Sequence, residues 1–452
     1  MKITLTGHAT LFIESNEYKI ITDPWLTHRL DRLWVHHPAI GSIDYLDQVN
    51  VIILSHHHCD HLHIPSLAML PRAAIVIYPQ SELHPIYRGS GMGHKTIPWV
   101  LRRMGFHRLY PLAPFKSVEL NNTKITGFPS HVKFPELSFL VEDNDANIMI
   151  CGDSLLHPAT EEYFTNHKSY KLDCAFVPTH STSPPEPLLK RAHPADYNYF
   201  LSKSQEYFAN YVNTLNPKIV IPAAFGWKLD SEEEDLSWVN HTLFPFTPDL
   251  ALTYLQEKLN KPGILLGPDD EFEIINHELT NLNGFYQNNS DTLLATYVDL
   301  ALKPDLLINK FNPHTATYPS KNNLTIKQLI NKVADEMVAT PSWVESLENN
   351  KMKLLRISDD EGDHTFLIDF TSNQPIQATT LELTTHSYTW LHKSVLQAFF
   401  ESSLLIGNSY GLWVSTDNLL TDIFHHPKYY INHVNHLLAA DIDHTVMESS
   451  YA

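Results

Sequence analysis

The sequence predicts an α/β fold in two domains, and three observations predict it. Short apolar runs at residues 49–54, 74–78, 124–128, 147–150, 175–178 and 218–222 have strand length and end in turn residues. Stretches with helical spacing of apolar residues, such as 198–215 and 324–334, follow or separate them. The 452 residues exceed one ordinary core, since about 150 make a typical domain.

Composition narrows the function classes. A hydrophobic fraction of 43% with 18% charged residues is that of a globular chain. Net charge is −19, from 51 acidic against 32 basic residues, and basic clusters are no longer than pairs such as Arg102-Arg103. Such a surface repels polyanions, so nucleic acid is not an expected partner. The three cysteines, Cys59, Cys151 and Cys174, are too few and too odd for a disulfide framework. With no apolar leader before the first strand pattern and no run of about 18 apolar residues, a cytoplasmic chain without a membrane span is expected.

Taken in order, residues 2–14 and 18–22 read as two strands joined at Ser15-Asn16-Glu17, the second ending in Asp23-Pro24-Trp25-Leu26. Asp23 is suited to bonding the turn backbone. Residues 27–48 read as a polar, aromatic loop holding Trp34, His36, His37 and Pro38, with His37 a candidate ligand contact. The apolar run 49–54 then opens into Ser55-His56-His57-His58-Cys59-Asp60-His61. Four imidazoles and a carboxylate on one short turn cannot all neutralise each other, so a cation accounts for them. His56 and His58, at alternating positions, aim the same way; Asp60 and His61 sit further round and can reach a second ion. His57 and His63 read as bystanders.

A short helix at 65–70, a strand at 74–78, a glycine-bearing linker from 80 and a helix at 99–108 are expected next. The strand 124–128 ends in Pro129-Ser130-His131, and a hairpin of 138–142 with 147–150 ends in Cys151-Gly152-Asp153-Ser154. The strand 175–178 leads to Thr179-His180, and the helix 198–215 stops at Asn216-Pro217 before the strand 218–222. An acidic loop at 230–235, a helix at 248–258 and Asn-rich polar residues around 281–291 place the boundary between domains 1–280 and 291–452. The second domain reads as α+β, with a helix at 324–334, strands at 353–357 and 365–370 and a helix at 387–399. Its order of elements is loosely similar to small lipid- or sterol-carrier folds, and its role is not legible.

The spacing of His56, His58, Asp60 and His61 directly after an apolar strand resembles the signature of the metallo-β-lactamase superfamily, which implies an αββα fold for residues 1–280. Gly7-His8-Ala9-Thr10 and the Asp-Pro-Trp-Leu turn are similar to the opening hairpin of one branch. That branch includes the ascorbate phosphate lactonase, N-acyl-phosphatidylethanolamine phospholipase D and CMP-N-acetylneuraminate hydroxylase families. The resemblance implies His131 as third ligand of the first metal and Asp153 as the carboxylate bridging two divalent ions. One carboxylate can put an oxygen on each cation and partly offset their repulsion. Where zinc hydrolases carry a last histidine, this chain has Ala223-Ala224-Phe225-Gly226-Trp227. The second ion is left with Asp60, His61 and Asp153, plus water, substrate, or a distant residue such as His180 or His193.

That departure, with Trp34, His37-Pro38, Pro65-Ser66-Leu67, Ser342-Trp343-Val344, Leu367-Ile368-Asp369-Phe370, Gly411-Leu412-Trp413 and His426-Pro427-Lys428-Tyr429-Tyr430, resembles the CMP-N-acetylneuraminate hydroxylase family. The resemblance implies a non-haem di-iron hydroxylase of a small polar substrate, with Asp60 and Asp153 as its catalytic carboxylates. The family's Rieske domain needs paired Cys-x-His and Cys-x-x-His ligands, and this chain starts at the β-lactamase-like strands. Electrons are therefore expected from a separate donor protein or from the substrate. The alternative fills the site with zinc and makes a hydrolase of a phosphoester, lactone or amide, in which the ions generate hydroxide from bound water. A third class is a non-catalytic binding protein. Oligomeric state is not legible.

Overall fold

A computed structural model describes the chain apart from residues 31–33, 81–95, 133, 168, 180–193, 230–245, 285–321, 338–352, 370–373, 378–387, 402–412 and 416–452. The first hairpins are β1 (Lys2–Gly7), β2 (Thr10–Ser15) and β3 (Tyr18–Thr22). Next come β4 (Trp34–His36), β5 (Val51–Ile53), α1 (Ile64–Met69), β6 (Ile75–Pro79), α2 (Thr96–Arg103), β7 (Arg108–Leu112) and β8 (Ser117–Leu120). The second half of this region holds β9 (Thr123–Pro129), β10 (Leu137–Glu142), β11 (Asn147–Ile150), α3 (Pro158–Asn166), β12 (Cys174–Pro178) and α4 (Pro194–Leu215). It closes with β13 (Ile219–Ala223), β14 (Trp227–Leu229), α5 (Pro248–Tyr254), β15 (Glu271–Ile275) and β16 (Glu278–Asn283).

These strands build an eight-stranded sheet, β16-β15-β1-β2-β3-β5-β6-β7, and a six-stranded sheet, β13-β12-β11-β10-β9-β8. Strand alternation sorts side chains into layers. Leu11, Ile13, Ile20, Val51 and Ile53 from the first sheet meet Ile125, Leu137, Phe139, Val141 and Phe176 from the second in one core between the sheets. Phe12, Ile21, Ile52 and Leu54 face the other way, against Leu67, Val100 and Leu101 of the helical layer. On the far side, Phe128, Leu140 and Val177 pack with Phe164, Phe208, Tyr211 and Leu215 of α3 and α4. Strands buried on both faces read as continuous apolar runs, which is why they were legible. The result is the expected αββα layering.

Several elements differ from the sequence expectation. Residues 2–14 are two strands, not one: the chain turns at Gly7-His8-Ala9, His8 has a left-handed φ of 44°, and the β1–β2 register shifts between Leu5 and Gly7. The stretch 27–48 contains β4, which pairs antiparallel with β14 (His36 opposite Trp227), and a 3-10 turn at Leu46–Gln48. The helix expected at 99–108 ends at Arg103, because Gly105 (φ 88°) reverses the chain into β7. The polar stretch before the expected boundary forms the β15–β16 hairpin, and β15 pairs with β1.

Residues 326–415 contain a separate five-stranded sheet, β19-β18-β17-β20-β21, of β17 (Lys353–Asp359), β18 (Gly362–Asp369), β19 (Gln374–Gln377), β20 (Tyr388–His392) and β21 (Trp413–Ser415). Two helices, α6 (Ile326–Met337) and α7 (Lys393–Phe400), share a buried cluster with it: Leu329, Ile330, Val333, Leu355, Ile357, Leu391, Val395 and Phe399. The helix expected at 387–399 is therefore a strand followed by a helix. Tyr388–His392 pairs in parallel with β17, and His392 Nδ1 accepts the Ser394 N–H at 3.2 Å to start α7. Among the described residues no helix is long and apolar enough to cross a membrane.

Candidate metal centre

The site lies where β3, β5 and β11 end, beside the β1–β2 turn. After β5, Leu54 and Ser55 carry the chain into the histidine turn. Asp23, just past β3, fixes this exit: its backbone N–H donates to Ile53 O at 2.8 Å and its Oδ1 accepts the Ser55 N–H at 2.6 Å. Its other oxygen, Oδ2, lies 3.0 Å from His61 Nδ1. Thr10 Oγ1 in turn donates to Asp23 O at 2.8 Å, so the first hairpin holds the Asp-Pro turn in place. The second sheet joins at Leu137, whose N–H donates to Ser55 O at 3.1 Å.

Asp153 comes from the turn after β11, where Gly152 takes a φ of 60° and the Cys151 N–H bonds Phe176 O at 3.0 Å. Ser154 locks the turn from beneath, with its Oγ 2.7 Å from the Tyr211 hydroxyl and 2.6 Å from Ser138 Oγ. Asp153 Oδ2 then lies 3.4 Å from His61 Nε2, and Asp153 Oδ1 lies 3.8 Å from His56 Nδ1. Asp60 Oδ2 is 3.5 Å from His61 Nε2 and 3.3 Å from His8 Nε2.

Among the described residues two groups of donors have their ligand atoms within 4.8 Å of one another: His56 with His61 and Asp153, and His8 with Asp60 and His61. His56 Nε2, His61 Nε2 and Asp153 Oδ1 are buried without a hydrogen-bond partner among the described residues. Buried nitrogen and carboxylate lone pairs aimed together and left unbonded are the donor chemistry of a divalent cation, so the residues fit one.

Electrostatics agree. Burial opposes charge on His61, yet Asp153, Asp60 and Asp23 outweigh it and hold its pKa well above the usual imidazole value. Asp153 and Asp60 sit well below the usual carboxylate value: burial is overcome chiefly by His61, joined by His56 at Asp153. The carboxylates thus concentrate negative charge around His61, a field that favours a cation. Burial lowers the pKa of both His56 and His58, leaving them neutral and able to donate a lone pair.

The remaining expected site residues are not members of these two donor groups. The His58 ring packs 4.3 Å from that of His56 but belongs to neither donor group. His131 is exposed; its N–H bonds Leu155 O at 2.9 Å, its ring lies 5.5 Å from that of His157, and it joins neither group. His37 bonds Gly226 O through its backbone N–H at 2.8 Å and is also outside both groups. His180 and His193 lie outside the described residues.

Three residues were not expected here. His8 and Asp23 belong to quoted sequence motifs without a site role. Glu136 is 2% exposed, with Oε1 3.1 Å from His56 Nδ1 and Oε2 buried and unbonded among the described residues. Burial and the charge of Asp153 hold its pKa well above the usual carboxylate value. The one signal was position: an acid beside Pro135 opening an apolar strand.

Because Asp23 orients His61 through its Nδ1, Asp23→Asn is expected to weaken cation binding about 10–100-fold, read by competition with a chelator. An unchanged affinity would remove that role.

Residues 2–224 match the family model described as a β-lactamase superfamily domain. This region of the chain belongs to that superfamily. The chain is similar to cytidine monophosphate-N-acetylneuraminic acid hydroxylase of Danio rerio, 34% identical over 93 residues, covering 19% of this chain and 16% of the hydroxylase. The chain is also similar to a Rieske 2Fe-2S iron-sulfur protein of Mycobacterium tuberculosis (strain ATCC 25618 / H37Rv), 27% identical over 113 residues, covering 24% of this chain and 20% of that one. The chain thus matches no more than about a fifth of the length of either relative. Among solved structures, Igni18, a metallo hydrolase of Ignicoccus hospitalis, aligns with a TM-score of 0.42 at 14% identity, covering 62% of this chain and 99% of that one. CmlA, a diiron beta-hydroxylase of Streptomyces venezuelae, aligns with a TM-score of 0.39 at 14% identity, covering 62% and 54%.

Proposed function

We propose that the chain is a two-cation oxygenase that hydroxylates a small polar substrate, with iron as its metal and a separate electron-donor protein as its partner. The observation that carries this reading is Glu136. It puts a third carboxylate, after Asp60 and Asp153, beside the histidine turn, while Ala223-Ala224-Phe225-Gly226-Trp227 carries no ligating side chain. A centre that mixes imidazole nitrogen with carboxylate oxygen and leaves positions open suits iron. The names of the two relatives, a hydroxylase and a Rieske protein, support the same chemistry and a one-electron donor.

In this reading His56, His58 and Asp153 would hold one ion and Asp60, His61 and Asp153 the other. Glu136, beside His56, would be a further carboxylate on the first ion's side. When bound, the iron pair supplies activation of dioxygen. The protein's own residues set the stage for that chemistry. Asp23 keeps the His61 lone pair aimed inward from Nδ1. Phe134 packs over the turn, its ring 5.6, 5.1 and 4.8 Å from those of His56, His57 and His58, and shields this side from water. Burial and the charge of Asp153 raise the Glu136 pKa, so a cation that offset that charge would favour its carboxylate form.

The test is metal analysis with oxygen-uptake assays on protein from its native host, alongside Glu136→Gln. The reading expects iron, reductant-dependent oxygen uptake, and iron binding weakened by about 10–100-fold in the variant. Zinc, with ester or lactone turnover that persists without oxygen, would overturn it in favour of a hydrolase.

A further inference from the structure

The second ion of this centre has an open question of supply, because Ala223-Ala224-Phe225-Gly226 brings no donor side chain after β13. The structure puts an imidazole on that side from the other end of the chain. The β1–β2 turn breaks what would be one strand, and the left-handed φ of 44° at His8 directs its side chain inward. His8 is 3% exposed, its Nε2 lies 3.3 Å from Asp60 Oδ2, and its ring centroid lies 5.4 Å from that of His61. The donor atoms of His8, Asp60 and His61 lie within 4.8 Å of one another.

The segment that lacks a donor is the segment packed behind this turn. A Cβ on Gly226 would come within 3.2 Å of His8 N and 3.4 Å of His8 Cα, and Gly226 has a φ of 137°. A side chain there would press on the turn that carries His8. On its other flank the His8 ring meets Trp25 edge-on at 5.8 Å, and Trp25 itself packs on His36, tilted, at 3.8 Å. The ring is therefore held by rigid aromatic neighbours, as a preorganised ligand must be.

We infer that His8 is a protein ligand of the second cation, with Asp60 and His61, supplying the nitrogen donor that the β13 segment does not. The inference rests on the two-cation reading above. It also gives the bulged first hairpin a purpose: a continuous strand through residues 2–14 would carry residue 8 past the site.

The experiment titrates metal-depleted full-length protein with Co(II), reading stoichiometry by calorimetry and ligand environment by visible absorption. The wild type, His8→Ala and His8→Gln are compared, with the exposed His107→Ala as control. Two ions are expected in the wild type and the control. In both His8 variants one ion stays tight and the other weakens on the order of 10²-fold or more, with a changed absorption band for that ion. His8→Gln keeps a polar side chain of similar reach, so it decides the matter if His8→Ala does not fold. Two ions of unchanged affinity and spectrum in the His8 variants would overturn this assignment alone. Fewer than two ions in the wild type would overturn the two-cation reading beneath it.

Discussion

Asp153→Asn is expected to reduce the metal content from two ions per chain to one or none and to lower turnover on the order of 10³-fold. Asp153 is the one carboxylate of the donor groups that reaches both halves of the turn, 3.4 Å from His61 Nε2 and 3.8 Å from His56 Nδ1. Two adjacent dications repel, and a shared negative charge offsets that repulsion. A unit charge at about 4 Å contributes about 4 kcal/mol at an effective dielectric of about 20, which corresponds to roughly 10³-fold. The amide keeps the shape and loses the charge, so the effect is electrostatic. Metal analysis of the purified variant checks it, and a full complement of two ions would contradict it.

Phe128→Ala tests the packing behind the site and should cost about 3–5 kcal/mol of folding free energy. Phe128 is fully buried near the end of β9, with ring centroids 5.6 Å from Phe115, 5.0 Å from Tyr163 and 5.2 Å from Phe164. It anchors α3 against the second sheet. The same corner ties β9 to the Asp153 turn, through Thr160 Oγ1 donating to Pro129 O at 3.2 Å and the Leu155 N–H donating to Ser130 Oγ at 2.9 Å. Denaturant unfolding should show a large drop in midpoint, while the folded fraction still binds metal. The two variants thus separate: one removes metal from a stable fold, the other weakens a fold that keeps its metal.

The layers were legible because burial on both faces writes itself into sequence. Ile13 beside Phe12, and Ile53 beside Ile52, supply two different cores from adjacent positions, and such runs admit few readings. His56, Asp60, His61 and Asp153 were legible for a different reason: they sit at strand ends in a spacing that little else explains. His8 was hidden inside an alternating pattern, with Gly7 as the sole sign that the strand breaks. Glu136 looked like an acid in a turn, and only its burial against His56 separates it from one. His131 followed a strand in the expected order, yet the backbone bond from its N–H to Leu155 O belongs to a segment that leaves its ring exposed. Residues 388–392 carried helical spacing but, as Tyr-Thr-Trp-Leu-His, also high strand propensity, and pairing with β17 decided between them.

The most direct test of the account is anomalous X-ray scattering from crystals of the metal-loaded protein at the iron edge. Two peaks are predicted on either side of the Asp153 carboxylate, one on the His56 side and one beside His61 and Asp60. A single peak bound by His131 and His157, or no peak within bonding distance of Asp153, would contradict it.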